Sequence, residues 1–332
     1  MEQKKYTTNA IVEAGLMAVF ITVILIITGY VPILSVLGTL ILPIPIAVLY
    51  IRQDYRTTLA CILVSTVITA LIFNPIISIN ASINYALVGL TLGYSIKNNK
   101  SSYFTIVTLT LACVLSNILS MLFLIIFIEK TSVVNFFKNS LTLFLDSFKT
   151  STDMLMEAYK NMGMNSEQLK AIEKMFSSIN AENLMIFLPA SIVAYSFMSA
   201  YVNYIVSRGI LKKLRYEMMP IMPFGEFYVS NLVGAFFIGI TCIGIILNGR
   251  GVTAARYFYK ASLMIVIFIF LINGIAATVY YLQRKKALPN GIITLLIMFS
   301  FLLGVSNIYF IIGFTEMMLD LRRLDPYRIR KV

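Results

Sequence analysis

The sequence predicts an all-α polytopic membrane protein with eight or nine transmembrane helices. Of its 332 residues, 59% are hydrophobic and 13% are charged, and the mean hydropathy is +0.85. Soluble domains are typically about half apolar and one quarter charged. Apolar runs of roughly transmembrane length follow one another along the whole chain, and short basic loops separate several of them.

The apolar runs set the order of the predicted helices. The first run is about 20 residues long, which gives about 30 Å of helix, the thickness of a hydrocarbon core. The second carries Pro32, Pro43 and Pro45, which remove backbone donors, so we expect a short or broken helix there. The runs are Asn9–Tyr30, Val31–Ile51, Thr57–Phe73, Asn80–Ile96, Phe104–Ile128, Leu184–Val206, Phe227–Leu247, Phe258–Leu282 and Ile292–Ile312.

The only long polar stretch covers residues 130–183. Apolar residues keep a helical spacing on both sides of Gly163. This pattern predicts a helical hairpin on the outer surface, as a passive connector or as a lid over a pocket.

Lysine and arginine cluster in alternate loops, which predicts a cytosolic N-terminus for a multi-pass protein of the bacterial inner membrane. The basic positions are Lys4 and Lys5, Arg52 and Arg56, Lys97 and Lys100, and Arg208, Lys212, Lys213 and Arg215. Nine crossings would put the basic tail after Leu321 outside, so one run should not cross. The proline-bearing second run and the glycine-rich seventh run are the candidates.

The sequence lacks the residue patterns that several classes of function require. The net charge of +12 is spread over short loops and does not form one nucleic-acid-binding face. The chain has no His, and its three Cys lie apart in apolar runs, so we expect no metal and no cofactor. Nucleotide-binding and hydrolase motifs are also missing, so we expect no catalysis.

Amide and phenol side chains interrupt the apolar runs. Asn84, Tyr85, Asn117 and Tyr195 could line a small-molecule pocket, and Asn273 and Asn307 lie in later runs. The alternative for each is a hydrogen bond to a neighbouring helix, worth about 0.6 kcal/mol.

Small residues recur on one face of the first helix. Ala10, Ala14 and Ala18 are spaced four apart, which lets a second helix approach closely in lipid. That helix could belong to a partner protein or to this chain.

These motifs resemble those of known families. The alanine face, the proline-bearing second segment and Gly89-Leu-Thr-Leu-Gly93 are similar to the six-helix substrate-binding S component of energy-coupling-factor transporters. The whole chain resembles the YybS-like uncharacterised bacterial membrane family, through Leu188-Pro189, Asn273-Gly274 and the ending from Ile312 to Arg323. The S-component resemblance implies that Ala10, Ala14 and Ala18 dock on a transmembrane coupling protein powered by two cytosolic ATPases. It also implies a pocket near the outer face.

The sequence thus predicts three parts. Residues 1–207 form an S-component-like six-helix core that includes the outer hairpin at 130–183. Residues 208–226 form a basic cytosolic loop, and residues 227–332 a helical membrane extension with a basic tail. The predicted function is a substrate-binding subunit of an uptake transporter for a vitamin- or metabolite-like molecule. The alternative is a non-catalytic membrane scaffold that packs through small-residue helix faces.

Overall fold

A computed structural model describes residues 8–177, 181–216, 218–220, 223–252, 255–286 and 288–325, and these residues form helices and no strands. The prediction of an all-α membrane protein is confirmed. The α-helices are α1 Thr8–Tyr30, α2 Pro32–Ile41, α3 Pro43–Arg52, α4 Tyr55–Ile72, α5 Pro75–Lys97, α6 Ser102–Leu124, α7 Val133–Asn161, α8 Ser166–Ser177, α9 Ala181–Lys213, α10 Asn231–Gly249, α11 Ala255–Lys286, α12 Asn290–Leu302 and α13 Asn307–Leu319.

Eight segments of the described residues are long and apolar enough to cross a membrane. The second predicted run is broken as expected, because α2 ends at Ile41 and α3 begins at Pro43, but the two together still count as one candidate span. The seventh run, now α10, is an ordinary 19-residue candidate span. The strong break lies elsewhere: α12 and α13 are bent by 117°.

Large apolar side chains cover much of the helix surface. Leu16, Leu63, Leu71 and Leu232 are each more than two-thirds exposed, at 68%, 67%, 83% and 81%. Monomeric soluble proteins rarely expose such continuous apolar surface. The exposure indicates a surface that meets lipid tails.

The chain divides into two compact units. Unit 1 contains residues 1–138 and 192–221, and unit 2 contains residues 139–191 and 222–332. Unit 2 thus contains most of the 130–183 hairpin, and the predicted division into core, loop and extension stays a prediction. Unit 1 contains all or part of six candidate spans: α1, α2 with α3, α4, α5, α6 and the C-terminal part of α9.

The interior of unit 1 depends on a close helix pair. The glycine pair of α5 packs against α3, where a Cβ at Gly89 would lie 2.7 Å from Ile46 Cβ and one at Gly93 2.7 Å from Tyr50 Cβ. Because glycine has no side chain, α3 and α5 can approach each other closely at these two positions. Around them, Ile21, Ile46 and Leu49 are fully buried.

Unit 2 is held by the packing of α11 against α10 and α13. A Cβ at Gly274 of α11 would overlap the carbonyl oxygen of Tyr309, and one at Gly313 of α13 would overlap that of Phe270. The two backbones meet at these glycines. Phe270 and Met317 are buried beside the crossing.

The predicted hairpin is helical. Helices α7 and α8 flank Gly163, whose φ of +83° suits glycine at the turn. Phe148 and Phe176 make an edge-to-face contact between the two helices at 5.7 Å. No residue of α7 is fully buried. Except for Phe136, its half-buried residues form one stripe at helical spacing: Phe137, Leu141, Leu145, Phe148, Thr152, Met156 and Tyr159.

Candidate functional site

A cavity of about 530 Å³ lies in unit 1, where α5 and α9 end and α6 begins. We call it the basic cavity. Its lining residues are Ser95, Ile96, Asn99, Lys100, Thr105, Tyr204, Arg208, Lys212, Arg215, Tyr216, Met218, Met219 and Pro220. Four of them are cationic, and none of these described lining residues is acidic.

The chain forms this cavity by ending two helices in the same way. After α5, Asn99 takes a left-handed conformation with φ +49°, and Lys100 N–H donates to Ser95 O at 2.9 Å. After α9, Arg215 does the same with φ +64°, and Tyr216 N–H donates to Leu211 O at 2.9 Å. Both are Schellman-type caps, which reverse the chain sharply. They bring Lys100 and Arg215 to the cavity wall.

The segment after α9 is tied back across the cavity. Tyr204 is 1% exposed, and its hydroxyl donates to Met219 O at 2.8 Å. Tyr216 and Met218 pack against the buried core that contains Leu211 and Tyr204. The cavity therefore has a wall made by a loop as well as walls made by helices.

The loop positions of the four cations predicted a different role. From the sequence, Lys100, Arg208, Lys212 and Arg215 were expected only to orient the chain in the membrane. Only the fold brings the loop after α5 to the end of α9, more than 100 residues later. The clustered basic residues of the 208–215 segment were the one available signal.

A second opening, of about 490 Å³, is a groove between α1 and α4. We call it the α1–α4 groove. Its floor is made of small residues, because Ala14 and Gly15 of α1 face Ala60 and Cys61 of α4. A Cβ on Gly15 would meet no atom within 4 Å. The groove is thus open to a neighbouring helix.

The alanine face is divided between this groove and the interior. Ala10 is 4% exposed and Ala18 is 1% exposed, so this chain's own helices cover both. Ala14 is half-buried and lines the groove. Of the three alanines predicted to dock on a partner, only Ala14 remains accessible.

The polar residues predicted to bind a ligand do not share one of these two openings. Asn84 donates to Ser120 Oγ at 2.7 Å and Asn117 donates to Ser196 Oγ at 3.0 Å. The Tyr85 hydroxyl is 3.1 Å from Ser65 Oγ. Tyr195 is 64% exposed. Three of the four therefore have partners on other helices, and their role in ligand binding stays a prediction.

Unit 2 contains a buried polar cluster that we call the Arg322 cluster. Arg322 Nε donates to Glu316 Oε1 at 2.8 Å, and Nη2 donates to Asn273 Oδ1 at 3.0 Å. Nη1 donates to the carbonyl oxygens of Gly225 at 2.6 Å and Phe227 at 2.9 Å. Four of the five guanidinium N–H donors are thus bound within unit 2, and the Arg322 side chain is fully buried.

The Arg322 cluster unites motifs that lie apart in the sequence. Asn273-Gly274 and the segment from Glu316 to Arg322 carried the resemblance to a bacterial membrane family without any assigned role. Here Asn273 also donates to Gly313 O at 2.8 Å and lies at the close crossing of α11 and α13. These residues join three elements of unit 2, which indicates a structural role.

No group of three or more Asp, Glu or Cys residues that could hold a metal ion occurs in the part of the chain that the structure describes. Cys61 and Cys113 are buried, Cys242 is exposed, and all three are free thiols.

Comparison with protein-family models gives a match over residues 19–317, to a model described as "Predicted membrane protein (DUF2232)". The chain belongs to the DUF2232 family. The match runs from α1 into α13 and includes the whole basic cavity and the α4 side of the α1–α4 groove. Ala14 and Gly15 of the groove, and Arg322, lie outside the matched residues. The family description agrees with the eight candidate spans and names no activity. No curated protein and no solved structure matches the chain significantly.

Proposed function

We propose that this DUF2232 protein is a non-catalytic, substrate-binding subunit of a small-molecule uptake transporter in the bacterial inner membrane, energised by separate subunits. The α1–α4 groove carries the proposal. Its small residues on α1, the first span, leave room for a helix of a partner protein. The resemblance to S components implies that this face of α1 docks on a transmembrane coupling protein. Its volume is about 490 Å³.

The arrangement of unit 1 supports the same function. Six candidate spans contribute to it, the number in an S component. Helix association in lipid depends on close van der Waals contact, and Ala14, Gly15 and Ala60 permit that contact. Two cytosolic ATPases would supply the energy through the coupling protein, with the N-terminus of this chain on the cytosolic side.

The test is native mass spectrometry of the full chain gently extracted from its own membranes. The proposal predicts a complex with one transmembrane protein and two ATPases, and a small molecule that leaves with this chain. Ala14→Leu should remove the partners, because leucine fills the groove but suits lipid as well as alanine does. Val19→Leu is the matched control, since Val19 of the same helix is 56% exposed.

Each result decides between functions. Loss of the partners in Ala14→Leu, with a monomer as thermally stable as wild type, supports docking at the groove. A stable complex without ATPases would favour the alternative, a membrane scaffold that uses the same groove. A wild-type protein free of both ligand and partner subunits would contradict transport.

A further inference from the structure

We propose that the basic cavity binds a phosphate-bearing anion. The proposal does not depend on transport, because the cavity and the α1–α4 groove share no lining residue. It assigns a ligand class to a site that includes Lys100, Arg208, Lys212 and Arg215.

Charge is the first argument. Four cations line one cavity, and no ion pair of theirs occurs within the described residues. Elsewhere in unit 1 an arginine near a helix end is neutralised: Arg52 Nη1 lies 2.6 Å from Glu13 Oε1. A concave site lined by one sign of charge concentrates the opposite sign. Since no carboxylate among the described residues forms an ion pair with these cations, an anion in the cavity would relieve their mutual repulsion.

A buried hydroxyl is the second argument. Ser95 lines the cavity and is 1% exposed, yet its Oγ has no hydrogen-bond partner among the described residues. A buried polar group without a partner costs free energy. A phosphate oxygen in the cavity would accept this hydrogen bond. The neighbouring Tyr204 hydroxyl is already committed to Met219 O.

The type and position of the donors also suit a phosphate group. Arg208 is half-buried in the wall, where its planar guanidinium can bind two phosphate oxygens at once. Lys100 and Lys212 add point charges, and Thr105 brings the first turn of α6 to the cavity. The N-terminal end of α6 favours an anion, whereas the C-terminal ends of α5 and α9 favour cations, so the side chains and not the helix dipoles select the anion.

A simpler role for these cations is to complement the C-terminal ends of α5 and α9 and to meet the headgroup region of the membrane. Such cations need only a solvated surface. Here they line a recess of about 530 Å³, within the range of small-molecule sites. One wall of the recess is the segment that the Tyr204 hydroxyl holds through Met219 O.

A phosphate group could reach the cavity from two sources. One is the headgroup of an anionic phospholipid, and the other is a water-soluble phosphate compound. Both would use the same cations and the Ser95 hydroxyl. Only the phospholipid also carries apolar tails. One probe with tails and one probe without them therefore distinguish the two sources.

The experiment measures the affinity of the full chain in neutral detergent for inorganic pyrophosphate and for dihexanoyl phosphatidylglycerol, by calorimetric titration. Arg208→Gln should weaken binding of at least one probe by about tenfold, the loss of one charge-assisted hydrogen bond. Lys212→Gln should act in the same direction. Lys213→Gln is the matched control, because Lys213 is the exposed neighbour outside the cavity.

Binding of pyrophosphate that Arg208→Gln weakens and Lys213→Gln leaves unchanged would support the site with a soluble ligand. The same pattern for phosphatidylglycerol alone would support it with a lipid headgroup. Absence of binding by both probes to a folded wild-type protein would overturn the proposal, and so would equal losses in Arg208→Gln and Lys213→Gln. Thermal unfolding without any probe verifies that each variant is folded.

Discussion

Single polar residues inside apolar helices serve different purposes in this chain. Asn84, Tyr85 and Asn117 bond to hydroxyl groups of neighbouring helices, and Asn273 is fully buried in the Arg322 cluster. The residue type alone indicated only that each should have a partner. Which partner it has depends on the helices that the fold places beside it.

The Arg322 cluster gives a prediction at the scale of one residue. Arg322→Leu should lower the free energy of unfolding by about 3–5 kcal/mol, the usual cost of leaving one member of a buried ion pair alone. Glu316 would keep a buried charge, and the carbonyl oxygens of Gly225 and Phe227 would lose their donor. Thermal and denaturant unfolding of the detergent-purified chain measures the change.

Arg323→Leu is the matched control, because Arg323 is exposed and adjacent. The double variant Arg322→Leu with Glu316→Leu should recover part of the loss, since both charges are then gone. Equal shifts for the Arg322 and Arg323 variants would contradict a structural role for the cluster.

Helix breaks show which elements could be predicted. Proline residues predicted the break between α2 and α3, because proline lacks a backbone N–H donor and is favoured at the first position of a helix. The bend between α12 and α13 lies at residues 303–306, where Gly304 has φ +72°. Single glycines are common in the apolar runs of membrane helices. The presence of Gly304 in the sequence therefore did not predict the bend.

The bend leads to a prediction about the last two helices. Arg322 bonds to Gly225 and Phe227, just before α10 begins, so the chain returns to the side of the membrane where α10 starts. If α10 and α11 each cross once, α11 ends on that same side. The pair α12–α13 should therefore be re-entrant, and the C-terminus should be cytosolic.

Reporter fusions measure this arrangement. A fluorescent protein that folds only in the cytosol, fused after Val332, should be bright, and an alkaline phosphatase fused at the same place should be inactive. Fusions after Gly251, in the loop between α10 and α11, are the control and should behave in the opposite way. An active phosphatase after Val332 would establish a ninth crossing.

Charge sets the orientation of the molecule as a whole. The excess of Lys and Arg in short alternate loops favours the cytosol for those loops, and segment 130–183 follows the fifth apolar run, on the side opposite the basic loop at 97–100. Helices α7 and α8 should therefore lie outside the cytosol. Their amphipathic stripe, with no fully buried residue in α7, suits a hairpin at a membrane surface.

Thiol labelling of intact cells tests this orientation. In a variant with Cys242→Ser, cysteines at Ser151 and Ser166 should react with a membrane-impermeant reagent, because both positions are exposed. A cysteine at Lys213, which is also exposed, should react only after lysis. The reverse pattern would invert the whole topology.

The sequence by itself determined the membrane class, the helical fold and the approximate limits of most spans, because these follow from local hydropathy and from proline positions. It also indicated the hairpin, since helical periodicity is a local property. Those features need no knowledge of which helices are neighbours.

Only the tertiary structure decided how the residues are used. It covered Ala10 and Ala18, left Ala14 beside an open groove, and joined Lys100 to Arg208 around one cavity. It likewise brought Asn273 to Arg322. The physical reason is that lipid-exposed and protein-facing helix surfaces are both apolar. Hydropathy therefore does not reveal which face meets a neighbour, and contacts between distant segments depend on how the helices pack.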